Sequence, residues 1–207
     1  GGISGIIAAK TSAKNNLNTV LIDDKNILGG TTLFQQNECF KINNSYSNEW
    51  LKKEIETLKS LKNLTIKTRT SLAAYHSYNY LLARENLTDH LDINEKKDKI
   101  RQRLWKIRAK KVIISTGAME RPLIFNNNDR PGIMLSSSIK KYIDYYGVKC
   151  GQRISLFTNN DSAYEAAISL NNSGVNVNSV IDIRDKTNSL IVKQAEKLGI
   201  KIHWKSS

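Results

Sequence analysis

The spacing of apolar residues changes several times along the chain, and each change predicts an element. From Gly5 to Asn16 the small and apolar Ile6, Ile7, Ala8 and Ala9 sit with Lys10 and Lys14 facing water, which predicts a helix. NTVLIDD (residues 18–24) is a short apolar run closed by two acids, the pattern of a buried parallel strand. A turn centred on Gly29 and Gly30 follows. Leu51, Ile55, Leu58 and Leu61 then recur at three- and four-residue spacing, predicting an amphipathic helix over residues 48–63. LTIKTRTSLAAYHS predicts a strand leading out of it. A strand meander over about residues 75–111 comes next, with a polar hairpin around Asn94 to Asp98. KVIISTGA (residues 111–118) reads as a buried strand entering a Thr-Gly turn, and ERPLIFNNNDRPGIM as a loop.

SSSIKKYIDYYG (residues 136–147) predicts a helix with a serine cap and a glycine stop. Beyond it the pattern starts afresh. RISLFT is a strand, and NDSAYEAAISLNNSG is a helix capped by Asp161 or Asn160. VNSVIDIR is a strand, SLIVKQAEKLGI a helix, and KIHWKSS opens a further strand. Strand, helix, strand, helix, strand predicts a right-handed parallel sheet. The chain thus divides into a first domain over residues 1–147 and a partial second unit over residues 148–207.

Composition narrows the function classes. Of the 207 residues 40% are hydrophobic, enough for a core, and two prolines and eleven glycines argue against a disordered chain. No apolar run approaches the roughly 20 residues that span a bilayer. Cys39 and Cys150 form no CxxC pair and read as free thiols of a reducing, cytoplasmic compartment. His76, His90 and His203 have no metal-ligand spacing. The formal net charge of +13 raises the question of a nucleic-acid surface. The basic residues are spread along the chain, however, and accompany no recognised motif. The run from Lys96 to Lys111 alternates charge with Ile100, Leu104 and Ile107, as solvated strands do. The reading is no nucleic acid and no membrane.

The chemistry lies at the start. Gly1 to Gly5 match five sixths of a GxGxxG phosphate loop, in which glycines permit the tight turn, the backbone's approach to a pyrophosphate, and close packing of helix on strand. Gly2 and Gly5 take the second and third glycine positions, and the N–H groups near Ile3 and Ser4 face phosphate oxygens at the helix N-terminus. This pattern predicts that a first strand and a first glycine precede Gly1, the chain being a fragment. The acid expected about 20 residues on is Asp23, 18 positions after Gly5, with Asp24 as its neighbouring alternative. A carboxylate there accepts ribose hydroxyls and repels a 2′-phosphate, favouring NAD or FAD over NADP. In the second unit Thr158, Asn159 and Asn160 replace the glycines. Asn tolerates positive φ, so the turn survives, but its side chain fills pyrophosphate space. That unit is expected to keep the fold without strong dinucleotide binding, with Asp161 as a helix cap. Glu120 and Arg121 read as a salt bridge or loop anchor, and no catalytic residue or metal site is predicted.

Four long runs carry a family resemblance: RQRLW, TGAMERP, NDRPG and TNNDSAY, within residues 101–167. Together with GGTTLF (residues 29–34), they resemble the N-terminal part of the alpha subunit of heterotetrameric sarcosine oxidase. Looser relatives are the opine, proline and hydrogen-cyanide-forming (glycine) dehydrogenase subunits. The resemblance implies a Rossmann-like FAD/NAD(P)-binding α/β fold with a parallel sheet, an inserted antiparallel meander and a second βαβ unit. It implies noncovalent NAD on this chain, with FAD as the alternative in the same site. FAD, covalent FMN and a folate domain are expected elsewhere in a complex with beta, gamma and delta subunits, the amine oxidation taking place on beta. Carried onto matching positions, Gly2, Ile3, Ser4 and Gly5 hold the pyrophosphate and Asp23 or Asp24 the ribose. Gly30 and Thr31 lie near the diphosphate or second ribose, the backbone around Leu72 meets the adenine edge, and Thr116 and Gly117 close over the nucleotide. A non-catalytic dinucleotide-binding module is the competing reading.

Overall fold

The computed structural model describes residues 1–34, 41–97 and 99–206. Cys39 and the hairpin residue Asp98 lie outside the described residues. The chain splits into two units, residues 1–33 with 37–117 and residues 34–36 with 118–207. The division falls after Gly117, earlier than the 147/148 boundary expected from the sequence. The reason is that the helix at residues 136–144 packs on the helix at residues 162–172 of the second unit.

The first unit opens with α1 (Ile3–Lys14), which leads into β1 (Thr19–Ile22). Ile6, Ala9 and Ala13 of α1, at three- and four-residue spacing, are buried on one face. A two-residue hairpin pair, β2 (Lys41–Ile42) and β3 (Ser45–Tyr46), precedes α2 (Ser47–Ser60). Trp50, Leu51 and Leu58 of α2 join Ile6, Ala9, Leu21 and Leu28 in one core. The Lys10 ammonium meets the Glu54 carboxylate between the two helices. β4 (Leu64–Lys67) returns parallel to β1 in the register Thr19↔Leu64 to Ile22↔Lys67. The strand, the helix and the strand after it lie where the apolar runs placed them, and β1 and β4 pair as a parallel crossover.

β5 (Thr70–His76), β6 (Tyr80–Asn86) and, after the short α3 (Ile93–Lys96), β7 (Gln102–Arg108) form the antiparallel meander. A register shift between Leu72 and Ala74 bends β5. Trp105 on β7 donates its indole N–H to Glu85 at 2.7 Å, and Lys67 on β4 lies 3.8 Å from the Trp105 ring centroid. The meander is thereby tied to the end of the parallel pair.

Residues 111–118 form no strand, contrary to expectation. Ile113 and Ile114 are 64% and 67% exposed. An apolar run becomes a buried strand only where neighbouring strands and helices cover it, and among the described residues no strand pairs with this one.

The second unit contains α4 (Ser136–Asp144), β8 (Arg153–Thr158), α5 (Ser162–Asn172), β9 (Asn176–Asp182), α6 (Leu190–Lys197) and β10 (Ile202–Trp204). Its three strands are parallel in the order β10-β9-β8. Leu156, Val177 and Val180 share a core with Ala163, Tyr164, Ala167 and Leu170 of α5 and Val192 and Ala195 of α6. α4 is stopped by Gly147, at φ +66°, whose N–H donates to the Ile143 carbonyl. Its start differs from expectation. No serine side chain caps it from the N-cap position, which Leu135 holds. The Glu120 carboxylate does so from the preceding loop, accepting the N–H and hydroxyl of Ser136 and the N–H of Ser137.

Candidate nucleotide site

The start of α1 is built almost without side chains. Gly2 is the N-cap residue, in extended conformation, with no side-chain cap, and the first turn carries no acid. The first intrahelical bond runs from the Ile6 N–H to the Gly2 carbonyl at 2.9 Å. The amides of Ile3, Ser4 and Gly5 therefore precede the helical ladder, at the positive end of the helix dipole. Gly5 is buried, and a Cβ there would lie 3.6 Å from the Ser115 side chain and 3.7 Å from Leu21. Helix, β1 and the extended segment through Ser115 converge on this glycine.

A second glycine pair meets the first. The Gly29 N–H donates to the Gly1 carbonyl at 2.8 Å. Gly30 has φ +55°, and a Cβ on it would stand 2.9 Å from the Gly2 Cα. A Cβ on Gly1 would collide with the Asp23 carboxylate and Leu28. The two loops can approach this closely only as glycine backbone. Thr31 follows, itself exposed, on the 3₁₀ turn Gly30–Phe34.

Asp23 lies immediately after β1, held by two ladder-like bonds: its N–H donates to the Lys67 carbonyl, and its carbonyl accepts the Thr70 N–H, both at 2.9 Å. Its carboxylate turns toward the glycine loop. It lies beside Gly1, and Oδ1 accepts from the Lys25 N–H at 2.7 Å. Asp24 points elsewhere: it is exposed and paired with the Lys25 ammonium at 2.7 Å.

The structure thus brings Gly2, Ile3, Ser4, Gly5, Asp23 and Gly30 together at one helix end. Leu72 sits on β5, two residues past the Thr70 bond to Asp23, and is 47% exposed. Thr116 and Gly117 follow Ser115 on the exposed extended segment, Gly117 at φ +74° with open space around its Cβ position. Gly1 and Gly29, absent from the expected binding set, are the residues that dock the two glycine loops. Their signal in the sequence was the doubling of glycine at both places.

Of the two caps expected for α5, Asp161 or Asn160, it is Asn160 whose side chain bonds to the helix start. Asp161 is the N-cap residue of α5 but makes no cap bond. Asn160 Oδ1 accepts the Ser162 N–H at 3.0 Å, while the Asp161 carboxylate accepts from Arg184 Nη2 at 2.8 Å. Arg184 lies 23 residues further along the chain, out of reach of any local pattern. Among the described residues no group of three or more His, Cys, Asp or Glu side chains could hold a metal ion. No helix among them is long and apolar enough to cross a membrane.

No protein-family model matches the chain. Sarcosine oxidase subunit alpha of Corynebacterium sp. (strain U-96) is 36% identical over 201 residues, 97% of this chain and 20% of the relative. The chain spans about one fifth of the length of the curated relatives it matches. Among solved structures, L-proline dehydrogenase from P. horikoshii superposes with a TM-score of 0.64 at 25% identity, covering 91% of this chain and 35% of that one. The HOCl-induced flavoprotein disulfide reductase of Escherichia coli superposes with a TM-score of 0.59 at 15% identity, covering all of this chain and 48% of that one. The fold is the Rossmann-like α/β fold of FAD- and NAD(P)-dependent oxidoreductases. Along nearly its whole length this chain is similar to sarcosine oxidase alpha subunits, at 32–36% identity over the aligned residues.

Proposed function

We propose that the first unit binds a dinucleotide, with the pyrophosphate on the amides of Ile3, Ser4 and Gly5 and the adenosine ribose on Asp23. The observation that carries this reading is the uncapped, acid-free start of α1 on glycine backbone, with Asp23 at the end of the adjoining strand and its carboxylate beside Gly1. The residues fit such a group because the loops that border the helix end are glycine backbone, as close approach of a pyrophosphate requires. Asp23 rather than Asp24 is the ribose acceptor, since Asp24 is turned to Lys25 at the surface. Gly30 and Thr31 would border the diphosphate or second ribose, Leu72 the adenine edge, and Thr116 and Gly117 the outer side of the nucleotide.

The cofactor is NAD, with FAD as the alternative for the same site; a carboxylate at the ribose disfavours the 2′-phosphate of NADP. A bound nicotinamide or flavin supplies hydride or electron transfer, and the chain's own part is to hold and orient the nucleotide. On the strength of its relatives, the chain is the dinucleotide-binding segment of an amine-oxidising flavoenzyme complex. In that complex the oxidative demethylation of sarcosine, or oxidation of a related amine, takes place on a partner beta subunit. FMN and folate belong to other parts of the assembly, which also contains gamma and delta subunits.

Calorimetric titration tests the first step. NAD should bind with one site per chain, and Asp23→Ala should weaken it about 10- to 100-fold, the loss of a hydrogen bond to a charged acceptor. FAD titrated in parallel decides between the cofactors. An Asp23→Ala protein that binds NAD as tightly as the unaltered chain would overturn the reading. Within the assembled complex, sarcosine-dependent oxygen consumption should fall with Asp23→Ala; unchanged turnover would favour a module without a part in the reaction.

A further inference from the structure

We propose that the second unit closes its own nucleotide-type crevice with two side chains, Asn160 at the phosphate end and Arg184 at the ribose end. Nucleotide binding by this chain is thereby confined to the first unit. This rests on the preceding reading only for where the nucleotide goes.

β8, α5 and β9 have the order of a dinucleotide-binding unit, with a turn at Thr158–Asp161 and an acid at the end of the second strand. Ala163, buried at the start of α5, lets the helix lie close on the sheet. Asp182 follows Ala163 by 19 positions, as Asp23 follows Gly5 by 18. In a liganded unit, pyrophosphate satisfies the first-turn amides, and ribose hydroxyls satisfy the acid.

Here side chains satisfy both, beyond the backbone N–H two residues on that Asp23 and Asp182 alike accept. Thr158 Oγ1 accepts the Asn160 N–H at 3.1 Å, and Asn160 Oδ1 accepts the Ser162 N–H at 3.0 Å. Asp182 is wholly buried. Its Oδ1 accepts the Arg184 backbone N–H and Nε, each at 3.0 Å. Its Oδ2 accepts Arg184 Nη2 at 2.8 Å and the Tyr164 hydroxyl at 2.9 Å. The same Nη2 donates to Asp161 Oδ1 at 2.8 Å. The guanidinium therefore links the N-terminal turn of α5 to the acid ending β9, the span a sugar would bridge. A ribose would have to displace charge-assisted bonds on both carboxylates. A 2′-phosphate would find the guanidinium already engaged by two acids.

Titration of the full chain with NADH and NADPH tests this. The unaltered protein should take up no more than one equivalent of either. The double variant Asn160→Gly/Arg184→Ala should gain an equivalent, and that gain should persist when Asp23→Ala is added. Circular dichroism checks that the variants are folded; if the double variant does not fold, Asn160→Gly/Arg184→Gln is read the same way. Two equivalents in the unaltered chain would overturn the proposal. So would nucleotide binding that survives Asp23→Ala and falls tenfold or more with Arg184→Gln, or a folded opened variant that gains nothing. Absence of the first equivalent in the unaltered chain counts against the first unit alone, because the gain in the opened variant still reads the second.

Discussion

Two turns in this chain have one topology and opposite chemistry. At the first, α1 begins on bare glycine backbone with no side-chain cap, and the acid beyond β1 faces the loop. At the second, α5 begins behind Asn160, which occupies the Ser162 amide, and the acid ending β9 is wholly buried beneath Arg184. The backbone path that makes a nucleotide site is thus not sufficient for one. What separates them is whether the chain's own side chains reach the polar groups that a ligand would otherwise satisfy.

The sharpest way to break the comparison is to remove Arg184. Arg184→Ala strands a buried carboxylate, and losing one partner of a buried pair costs about 3–5 kcal/mol. Thermal unfolding followed by circular dichroism should show a large fall in Tm. Asp182→Asn should cost less, since it removes the charge together with the need for its partner. If Arg184→Ala left Tm unchanged, the guanidinium would not be what holds the second turn closed. The pH dependence carries the same signature. Burial pushes Asp182 up, but its bonds from Arg184 and Tyr164 outweigh that and hold it below the ordinary carboxylate range. Its stabilisation is complete above that range and is lost as pH falls through the lowered value. Asp182→Asn should flatten the acid limb of the stability curve.

The next effect is smaller and falls on the first turn. Gly30 combines φ +55° with a Cβ position 2.9 Å from the Gly2 Cα. Gly30→Ala should destabilise by about 1–3 kcal/mol from backbone strain and crowding, and should weaken NAD binding by prising the loops apart. Asp23→Ala should lower Tm only slightly, through the lost bond from the Lys25 N–H worth about 1 kcal/mol, and act mainly on affinity. A pair of variants that moved stability and affinity together, in equal measure, would erase the distinction between a loop that shapes the site and a residue that grips the ligand.

What was legible in the sequence follows the range of each interaction. The glycine loop, the strand it feeds and Asp23 lie within one βαβ stretch, so spacing alone located them. The helix α2 between two strands was legible from its apolar stripe, but LTIKTRTSLAAYHS, expected as one strand, breaks at Arg69 (φ +50°) into β4, paired with β1, and β5, paired in the meander. Asp161 was misread as a cap because its partner, Arg184, lies beyond the next strand. Residues 111–118 were misread as a buried strand because an apolar run does not say whether a neighbouring strand is there to cover it. The start of α4 was misread because its cap is Glu120, sixteen residues upstream across an irregular loop. Asp182 had a readable signal, the same acid-after-strand interval as Asp23, but Arg184's claim on it is a fact of three dimensions.

α4 supplies the comparison with a control, a helix start closed by a carboxylate from outside the helix. Burial pushes the Glu120 carboxyl up, but the Ser137 and Ser136 donors outweigh it and hold it below the ordinary value. A carboxylate so placed satisfies two orphan amides and meets the positive end of the helix. Glu120→Ala should cost about 1 kcal/mol, the usual value of a lost N-cap, read as a small fall in Tm at neutral pH. The stabilisation is present above the ordinary carboxylate range and disappears as pH falls through the lowered value, so the variant and the unaltered chain should converge in Tm at low pH. Nucleotide affinity should not move. If Glu120→Ala weakened NAD binding as Asp23→Ala does, caps and ligand-holding turns would not be separable in this chain, and the contrast between α1 and α5 would lose its meaning.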